Sequence, residues 1–212
     1  MGLILAPDEI KTNMEVLRSY LNSMTECYQN VLERVYEYYD EEDIDTESFR
    51  ESKNQMAICY RLIAEGMVSV QESVTGDIDT LLGCIGDEYL DEDELNEQIE
   101  KLQAQCEQYE QKIKNMQVMK FFLGVISVRG VIENYQKMIE NWIEEIAILQ
   151  EKLFFLREVE DSTVNLFQMA MGSLTTVQNA IRDAGVNVRD GKFPATLEWL
   201  DPIQNADDII AE

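Results

Sequence analysis

Apolar residues recur at alternating steps of four and three along the first forty residues of the chain. Such a stripe is typical of a long amphipathic helix whose apolar side packs against another helix. We therefore predict one helix from a cap at Asp8 to Tyr39. Its stripe consists of Ile10, Met14, Leu17, Leu21, Met24, Tyr28, Val31, Val35 and Tyr38.

A run rich in acidic residues, residues 40–47, interrupts this stripe. Because closely spaced carboxylates favour a solvated turn, we predict a turn here, with Thr46 as the N-cap of a second helix. The second helix carries apolar residues at similar spacing from Phe49 to Ile85. Its glycines predict kinking or fraying near Gly76, since glycine is a poor helix former.

Six of the thirteen residues in LDEDELNEQIEKL, residues 90–102, are Asp or Glu. Asp91 stands three residues before Glu94, which is the acidic form of a capping box, and the helix dipole favours carboxylates in a first turn. A calcium loop of the EF-hand kind would need alternating oxygen ligands and a central glycine, which this segment lacks. The pattern therefore predicts the start of a third helix rather than a metal site.

Matching stripes follow in residues 95–116 and 132–156. Since each stripe offers an apolar side of the same length, we predict that the third and fourth helices fold back on each other as an antiparallel hairpin. The predicted architecture is thus all-α: an elongated bundle of long antiparallel helices from which a hairpin projects as a coiled-coil-like stalk.

The tip of that hairpin is a densely apolar stretch without a helical period, residues 117–131, which includes Phe121, Phe122 and Val125. It packs either on a shorter carboxy-terminal helix or on a partner, or it is the tongue of an α-helical pore-forming toxin. The stretch is shorter than the roughly 20 apolar residues of a membrane-spanning helix. We therefore expect no stable membrane insertion.

A shorter fifth helix, ending near Gly185, is predicted after the hairpin. Its stripe is Val164, Phe167, Met171, Leu174, Val177 and Ile181. The predicted domains are an amino-terminal hairpin arm, residues 1–86, the long hairpin with the short helix, residues 87–185, and a tail or linker, residues 186–212.

Charge and composition narrow the possible functions. With 42 acidic and 17 basic residues the formal net charge is -25, which disfavours nucleic acid and anionic lipid as partners. The chain has no histidine, which excludes Ser-His-Asp and Cys-His catalysis and two-histidine zinc sites. We predict no catalytic residue, no metal and no cofactor.

Four cysteines are spaced too widely for a metal motif, and we predict that they are buried thiols of a chain that folds in the cytosol. They are Cys27, Cys59, Cys84 and Cys106. The sequence MGLILAPDEIK lacks the basic region of a secretory signal, so we expect export, if it occurs, to use a route without a cleaved signal.

Three segments resemble the LXG domain, the amino-terminal targeting region of toxins that Gram-positive bacteria export through the type VII secretion system. They are YLDEDELNEQIEKLQAQCEQYEQKI, LQEKLFFLREVEDSTVNLFQMAMGSLTTVQNAI and GKFPATLEW. The resemblance covers nearly all 212 residues, with a weaker fit at the amino-terminal end. The Leu-x-Gly motif that names the family corresponds here to the turn Ile44-Asp45-Thr46, a departure from the family pattern.

This resemblance implies a carrier module rather than an enzyme, with the toxin in a further carboxy-terminal domain. It implies that small WXG-like helical hairpin proteins encoded nearby bind the module and that a type VII secretion ATPase receives it. The protein would fold in the bacterial cytoplasm and then be secreted. A pore-forming toxin and a cytosolic coiled-coil scaffold remain the alternatives.

The first helix is where we expect partners to bind, because a two-helix arm with one narrow seam buries little. Burying a Leu or Met side chain contributes roughly 1.5–3 kcal/mol, against roughly 1–2 kcal/mol of backbone entropy per residue. Helices supplied by a partner would shift that balance. The predicted partner-binding residues are Met14, Leu17, Leu21, Met24, Tyr28, Val31 and Val35.

Overall fold

The computed structural model describes residues 2–40, 46–123 and 129–189. These residues form five helices and one pair of two-residue strands, which confirms the predicted all-α fold class. The elements are β1 (Ile4–Leu5), α1 (Pro7–Asp40), α2 (Glu47–Cys84), β2 (Leu90–Asp91), α3 (Glu92–Leu123), α4 (Arg129–Thr163) and α5 (Gln168–Arg189). The chain divides into two compact units: residues 1–8 with 85–164, and residues 9–84 with 165–212.

The first helix begins at Pro7, so the predicted cap at Asp8 was wrong by two positions. Proline suits the first helical position because its ring fixes φ near the helical value and it has no N–H to leave unpaired. The helix then continues to Asp40, one residue past the predicted end.

The second helix begins directly after Thr46, as predicted, and the Thr46 carbonyl accepts a hydrogen bond from the N–H of Arg50 at 3.0 Å. The helix continues without a break to Cys84, so the predicted fraying near Gly76 was wrong. Ile78, in the turn after that glycine, is completely buried, and its packing offsets the roughly 1 kcal/mol that an interior glycine costs a helix.

In the first unit, α3 and α4 form the predicted antiparallel hairpin. Tyr109 of α3 packs edge-to-face against Tyr135 and Trp142 of α4, with ring centroids 4.9 and 5.1 Å away. The Arg157 guanidinium donates to the Glu92 carboxylate at 2.8 Å, which joins the start of α3 to the end of α4. The buried members of the two stripes are Leu95, Ile99, Ile113, Ile139, Leu149 and Leu156.

An amino-terminal strand also belongs to this first unit. β1 pairs with β2 in antiparallel register, with Ile4 opposite Asp91 and Leu5 opposite Leu90. Leu5 and Leu90 are both buried. The amino-terminal residues were predicted to belong to the hairpin arm, and the pairing was not predicted because strands of two residues have no periodic signal.

In the second unit, α2 and α5 share a core of Leu62, Val70, Val177 and Ala180. At the other end of this contact, the N–H of Phe167 donates to the Asp77 carboxylate at 3.0 Å. Since the start of α5 meets α2 near Asp77 and later residues of α5 meet earlier residues of α2, the two helices are antiparallel.

The fifth helix differs from its prediction in partner, phase and length. It packs against α2 and belongs to the second compact unit, whereas the sequence pattern grouped it with the long hairpin in residues 87–185. Its buried face includes Ala170 and Ala180, whereas Met171 and Ile181 of the predicted stripe are exposed. Alanines on this face let the two helices approach closely. The helix also continues through Gly185 to Arg189.

Candidate partner-binding surface

The apolar stripe of α1 is not buried by the rest of the described chain. All nine stripe positions, Ile10 to Tyr38, are half-buried or exposed, including the seven predicted partner-binding residues. Met14, Leu17, Leu21, Met24, Tyr28 and Val35 are half-buried, and Val31 is 40% exposed. In α3 and α4, by contrast, equivalent stripes supply six fully buried residues. The first helix therefore presents an amphipathic face that its own unit covers only partly.

Three contacts fix how α2 lies along α1. The Arg18 guanidinium forms an ion pair with Asp79, and the Thr25 hydroxyl donates to the side-chain oxygen of Gln71 at 2.7 Å. Further along, the Lys53 ammonium lies 5.5 Å from the centroid of the Tyr38 ring. The two helices are therefore antiparallel, with α2 against the edge of α1 that carries Arg18 and Thr25.

A further set of exposed apolar residues lies on the other edge of the stripe. Val16 is 67% exposed and Tyr20 is 60% exposed, and both flank Leu17 and Met24 on the side away from Arg18. Val16 and Tyr20 are outside the predicted stripe, because they do not lie on its single line of steps of four and three. The signal was present: residues 16, 20, 24, 27 and 31 form a second helical row.

We define the outer strip as Val16, Tyr20, Met24, Cys27 and Val31. Its edge away from Leu17 is polar but not charged, because Ser19, Ser23 and Asn30 are exposed there. A helix that covered the outer strip would thus meet an apolar centre and a polar border. A partner helix with an apolar face is complementary to that surface.

Between α1 and α2 lies an apolar groove of about 460 Å³. Its lining residues are Asn30, Val31, Arg34, Val35, Tyr38, Met56, Ala57 and Tyr60. Tyr60 and Tyr38 are 48% and 38% exposed, so their rings form open walls of the groove. The groove includes the carboxy-terminal end of the predicted partner-binding stripe.

Burial affects the ionisation of several tyrosine and cysteine side chains. Desolvation, together with the neighbouring Tyr20 and Cys27, raises the pKa of the Tyr28 phenol, which keeps it neutral in the stripe. Burial likewise raises the pKa of the Cys59 thiol on α2, and burial with the charge of Glu110 raises that of the Cys106 thiol on α3, which lowers the thiolate fraction and reactivity of both.

All four cysteines are free thiols, but none is fully buried, so the prediction of buried thiols was wrong. Cys27 is exposed and the other three are half-buried. Cys27 is exposed because it lies in the outer strip rather than on the line of the predicted stripe.

The carboxylates at the start of α3 bind backbone groups. The Asp91 carboxylate accepts hydrogen bonds from the N–H groups of Asp93 at 2.8 Å and Glu94 at 3.1 Å, which confirms the predicted N-cap. Asp93 accepts from the N–H of Gly2 at 3.0 Å, and Glu92 accepts from the N–H of Leu3 at 3.1 Å. Among the described residues, no group of three or more His, Cys, Asp or Glu side chains is placed to hold a metal ion.

The hydrogen bond from Arg157, followed by that from the Leu3 N–H, holds the pKa of the Glu92 carboxyl below its ordinary value. Glu92 is therefore charged at neutral pH, and its charge joins Leu3, just before β1, to α3 and α4. The sequence pattern indicated for this carboxylate only a place in the first turn of a helix.

Two further sets of predicted residues fall partly outside the described residues. In the motif-equivalent turn, Ile44 and Asp45 lie outside them, while Thr46 is exposed at the start of α2. In the apolar tip, α3 includes the backbone of Phe121 and Phe122, and Val125 lies outside. Among the helices that the structure describes, none combines the length and apolar character needed to cross a bilayer.

Comparison with known proteins identified no relative of this chain. The chain matches no family of known proteins, no curated protein and no solved structure.

Proposed function

We propose that this chain is a targeting module of the LXG type. In this proposal α1 and α2 bind small WXG-like helical proteins, and the complex directs an attached carboxy-terminal toxin to the type VII secretion ATPase for export. The module itself is not an enzyme and uses no cofactor. The partner-binding residues are Met14, Leu17, Leu21, Met24, Tyr28, Val31 and Val35.

The single observation that supports the proposal is that the apolar stripe of α1 is only partly buried. A helix of 34 residues with a continuous apolar stripe and no fully buried stripe residue keeps apolar area that a second protein can remove from water. At about 25 cal/mol per Å² of apolar surface, this area is the main driving force available for association. The widening of the stripe by Val16 and Tyr20 makes the face broad enough for a helix pair.

Charge gives a second line of support. The net charge of -25 opposes self-association of the chain and favours a partner whose flanks are basic. The same charge disfavours the nucleic-acid and anionic-membrane classes. Recognition of a helical protein is the class that agrees with both the apolar outer strip and the net negative charge.

The test is co-expression of the chain with the small helical proteins encoded beside it, followed by affinity purification and light-scattering mass. We expect a defined hetero-complex. Leu17→Asp with Leu21→Asp should abolish copurification, because charging two central interface residues costs about 2 kcal/mol or more each, well over tenfold in affinity.

The control is Ile143→Asp with Ile148→Asp, since these are two exposed apolar residues of another long helix, α4, outside the proposed interface. This control should bind normally, and circular dichroism should show unchanged helicity for both double variants. A folded Leu17→Asp/Leu21→Asp variant that still copurifies would contradict the proposal. A self-associated chain that ignores those neighbours would favour the scaffold alternative.

A further inference from the structure

We propose that the groove between α1 and α2 is the docking site of a segment of this same chain, residues 193–200, whose sequence is FPATLEWL. The occupant is thus intramolecular, and its anchors are the apolar side chains of Phe193, Leu197, Trp199 and Leu200. The groove overlaps the proposed partner-binding stripe only at Val31 and Val35, and the proposed function assigns it no occupant from this chain.

The groove has the size and chemistry for such an occupant. Its volume of about 460 Å³ is within the range of pockets that enclose small ligands, roughly 300–1,000 Å³. Its walls are apolar side chains of both helices, including Val31, Val35 and Met56. Arg34 lies at its edge with a largely exposed side chain, a cation close to which Glu198 of the segment can lie.

The path of α5 brings the segment to this groove. The helix starts beside Asp77 and is still packed against α2 at Leu62, through Ala180. From Ala180 it continues to Arg189, roughly 13 Å further at 1.5 Å per residue. Along α2, Met56 lies roughly 9 Å beyond Leu62 in the same direction. The last turn of α5 therefore ends level with the groove.

The groove also lies on the correct side of α2. Met56 and Tyr60 precede Ile63 and Met67 by seven residues, which places them on the same rows of the helix surface. Ile63 and Met67 pack in the core that α2 shares with α5. The wall formed by Met56 and Tyr60 is therefore a continuation of the surface that α5 already follows.

The connection is long enough. Ten residues lead from Arg189 to Trp199, which can span up to about 33–36 Å when extended. Because α5 ends level with the groove, the connection needs only part of its span of about 33–36 Å to place FPATLEWL between α1 and α2. Tethering also raises the effective concentration of the segment to the millimolar range, so even modest apolar contacts suffice for docking.

Docking at this site has a consequence that rests on the proposed function. The groove shares Val31 and Val35 with the predicted partner-binding stripe, so the segment and a helical partner compete for the end of α1. Partner binding would then displace the carboxy-terminal segment that connects the module to its cargo.

The fluorescence of Trp199, which lies in the proposed docking segment, can report whether that segment is bound. Trp142 and Trp199 are its two tryptophans, so Trp142→Phe leaves Trp199 as the only tryptophan emitter. In the full chain with this change, we expect blue-shifted Trp199 emission with weak quenching by acrylamide. Val31→Glu, which puts a charge in the groove at a 40% exposed position, should shift the emission to the red and increase quenching several-fold.

Val16→Glu is the matched control, because Val16 is an exposed valine of the same helix outside the groove. It should leave the emission unchanged, and circular dichroism should report the same helicity for all variants. Water-like emission of Trp199 in the parent protein overturns the proposal. Blue-shifted emission that Val31→Glu does not change also overturns it, because the segment is then buried elsewhere.

This readout uses the chain alone and does not depend on any partner. A protected Trp199 with no copurifying helical protein would support the docking site and contradict the proposed function. Copurification of a helical protein together with water-like Trp199 emission would support the proposed function and contradict the docking site.

Discussion

Gly2 lies so close to the carboxylate of Asp93 that a side chain at its position would displace that carboxylate. A Cβ there would lie 2.6 Å from Asp93 Oδ1 and 3.1 Å from the Asp93 backbone nitrogen. The carboxylate can move, but it then loses its hydrogen bond with the Gly2 N–H. Glycine is therefore favoured at this position by close approach rather than by an unusual backbone conformation.

We predict that Gly2→Ala destabilises the first unit by about 1 kcal/mol, the net value of a hydrogen bond. Gly76→Ala is the matched control: Gly76 lies inside α2 with no atom within 4 Å of an added Cβ, so this change should stabilise by up to about 1 kcal/mol. Urea unfolding of the parent protein and the two variants measures the change in the free energy of unfolding for each substitution. Equal effects of the two changes would show that the contact with Asp93 has no energetic role.

A second prediction at this scale concerns the pH dependence of stability. The folded-state pKa of Glu92 lies below its ordinary value, so its contribution is fully present above the ordinary glutamate pKa and is lost as the pH falls through the folded-state pKa. Glu92→Gln should therefore lower the free energy of unfolding at neutral pH, and the difference from the parent protein should shrink in acid.

Glu97→Gln serves as the control, because Glu97 is an exposed glutamate of the same helix. Denaturant unfolding of the three proteins from neutral pH down to pH values below the ordinary glutamate pKa supplies the measurement. A difference between Glu92→Gln and the parent protein that stayed constant over this range would show that the charge of Glu92 does not act through Arg157 and Leu3.

At the scale of the helix, the phase of α5 decides which residues stabilise the second unit. Val177 is 1% exposed and Ile181 is 45% exposed, although the sequence stripe treats them as equivalent. We predict that Val177→Ala costs about 2 kcal/mol through lost burial and a residual cavity, while Ile181→Ala costs clearly less. Thermal and urea unfolding would contradict the observed phase if the two losses were equal.

The helices with the clearest local signals were predicted well from the sequence. The α3–α4 hairpin has large apolar residues along one line and a capping aspartate at a fixed offset, and both features depend only on neighbours in the sequence. The narrow apolar stripe of α1 also indicated that this helix buries little of its apolar surface. Local patterns therefore predicted the elements and the candidate surface.

Other features depend on contacts between distant residues. The face of α5 was misassigned because Ala170 and Ala180 carry little hydrophobic signal, yet they are buried where α5 approaches α2. Phe167 was placed in the helical stripe, but it has φ of 68° in the preceding turn, where its N–H meets Asp77. That partner lies ninety residues earlier, beyond any local pattern.

For the whole molecule, charge is the dominant long-range property. A net charge of -25 on 212 residues produces repulsion that reaches about 8 Å at physiological ionic strength and about 30 Å at 0.01 M. Exposed ion pairs such as Arg18–Asp79 and Lys152–Glu88 gain strength at low salt, but each such pair contributes only about 0–1 kcal/mol. The excess of acidic residues should therefore decide the sign of the salt effect.

We predict that the unfolding midpoint falls when sodium chloride is lowered from about 0.15 M to about 0.01 M, because the folded state concentrates the acidic residues that the unfolded chain separates. Circular dichroism melts at both salt concentrations measure the shift. Sodium sulfate at the same ionic strength is the control, since an effect of screening alone should be nearly equal for the two salts at these low concentrations. A midpoint that rises at low salt would show that ion pairs outweigh the net repulsion. Higher salt should also weaken the binding of a partner with basic flanks. Raising the salt concentration should therefore stabilise the folded chain but weaken its complex with the partner.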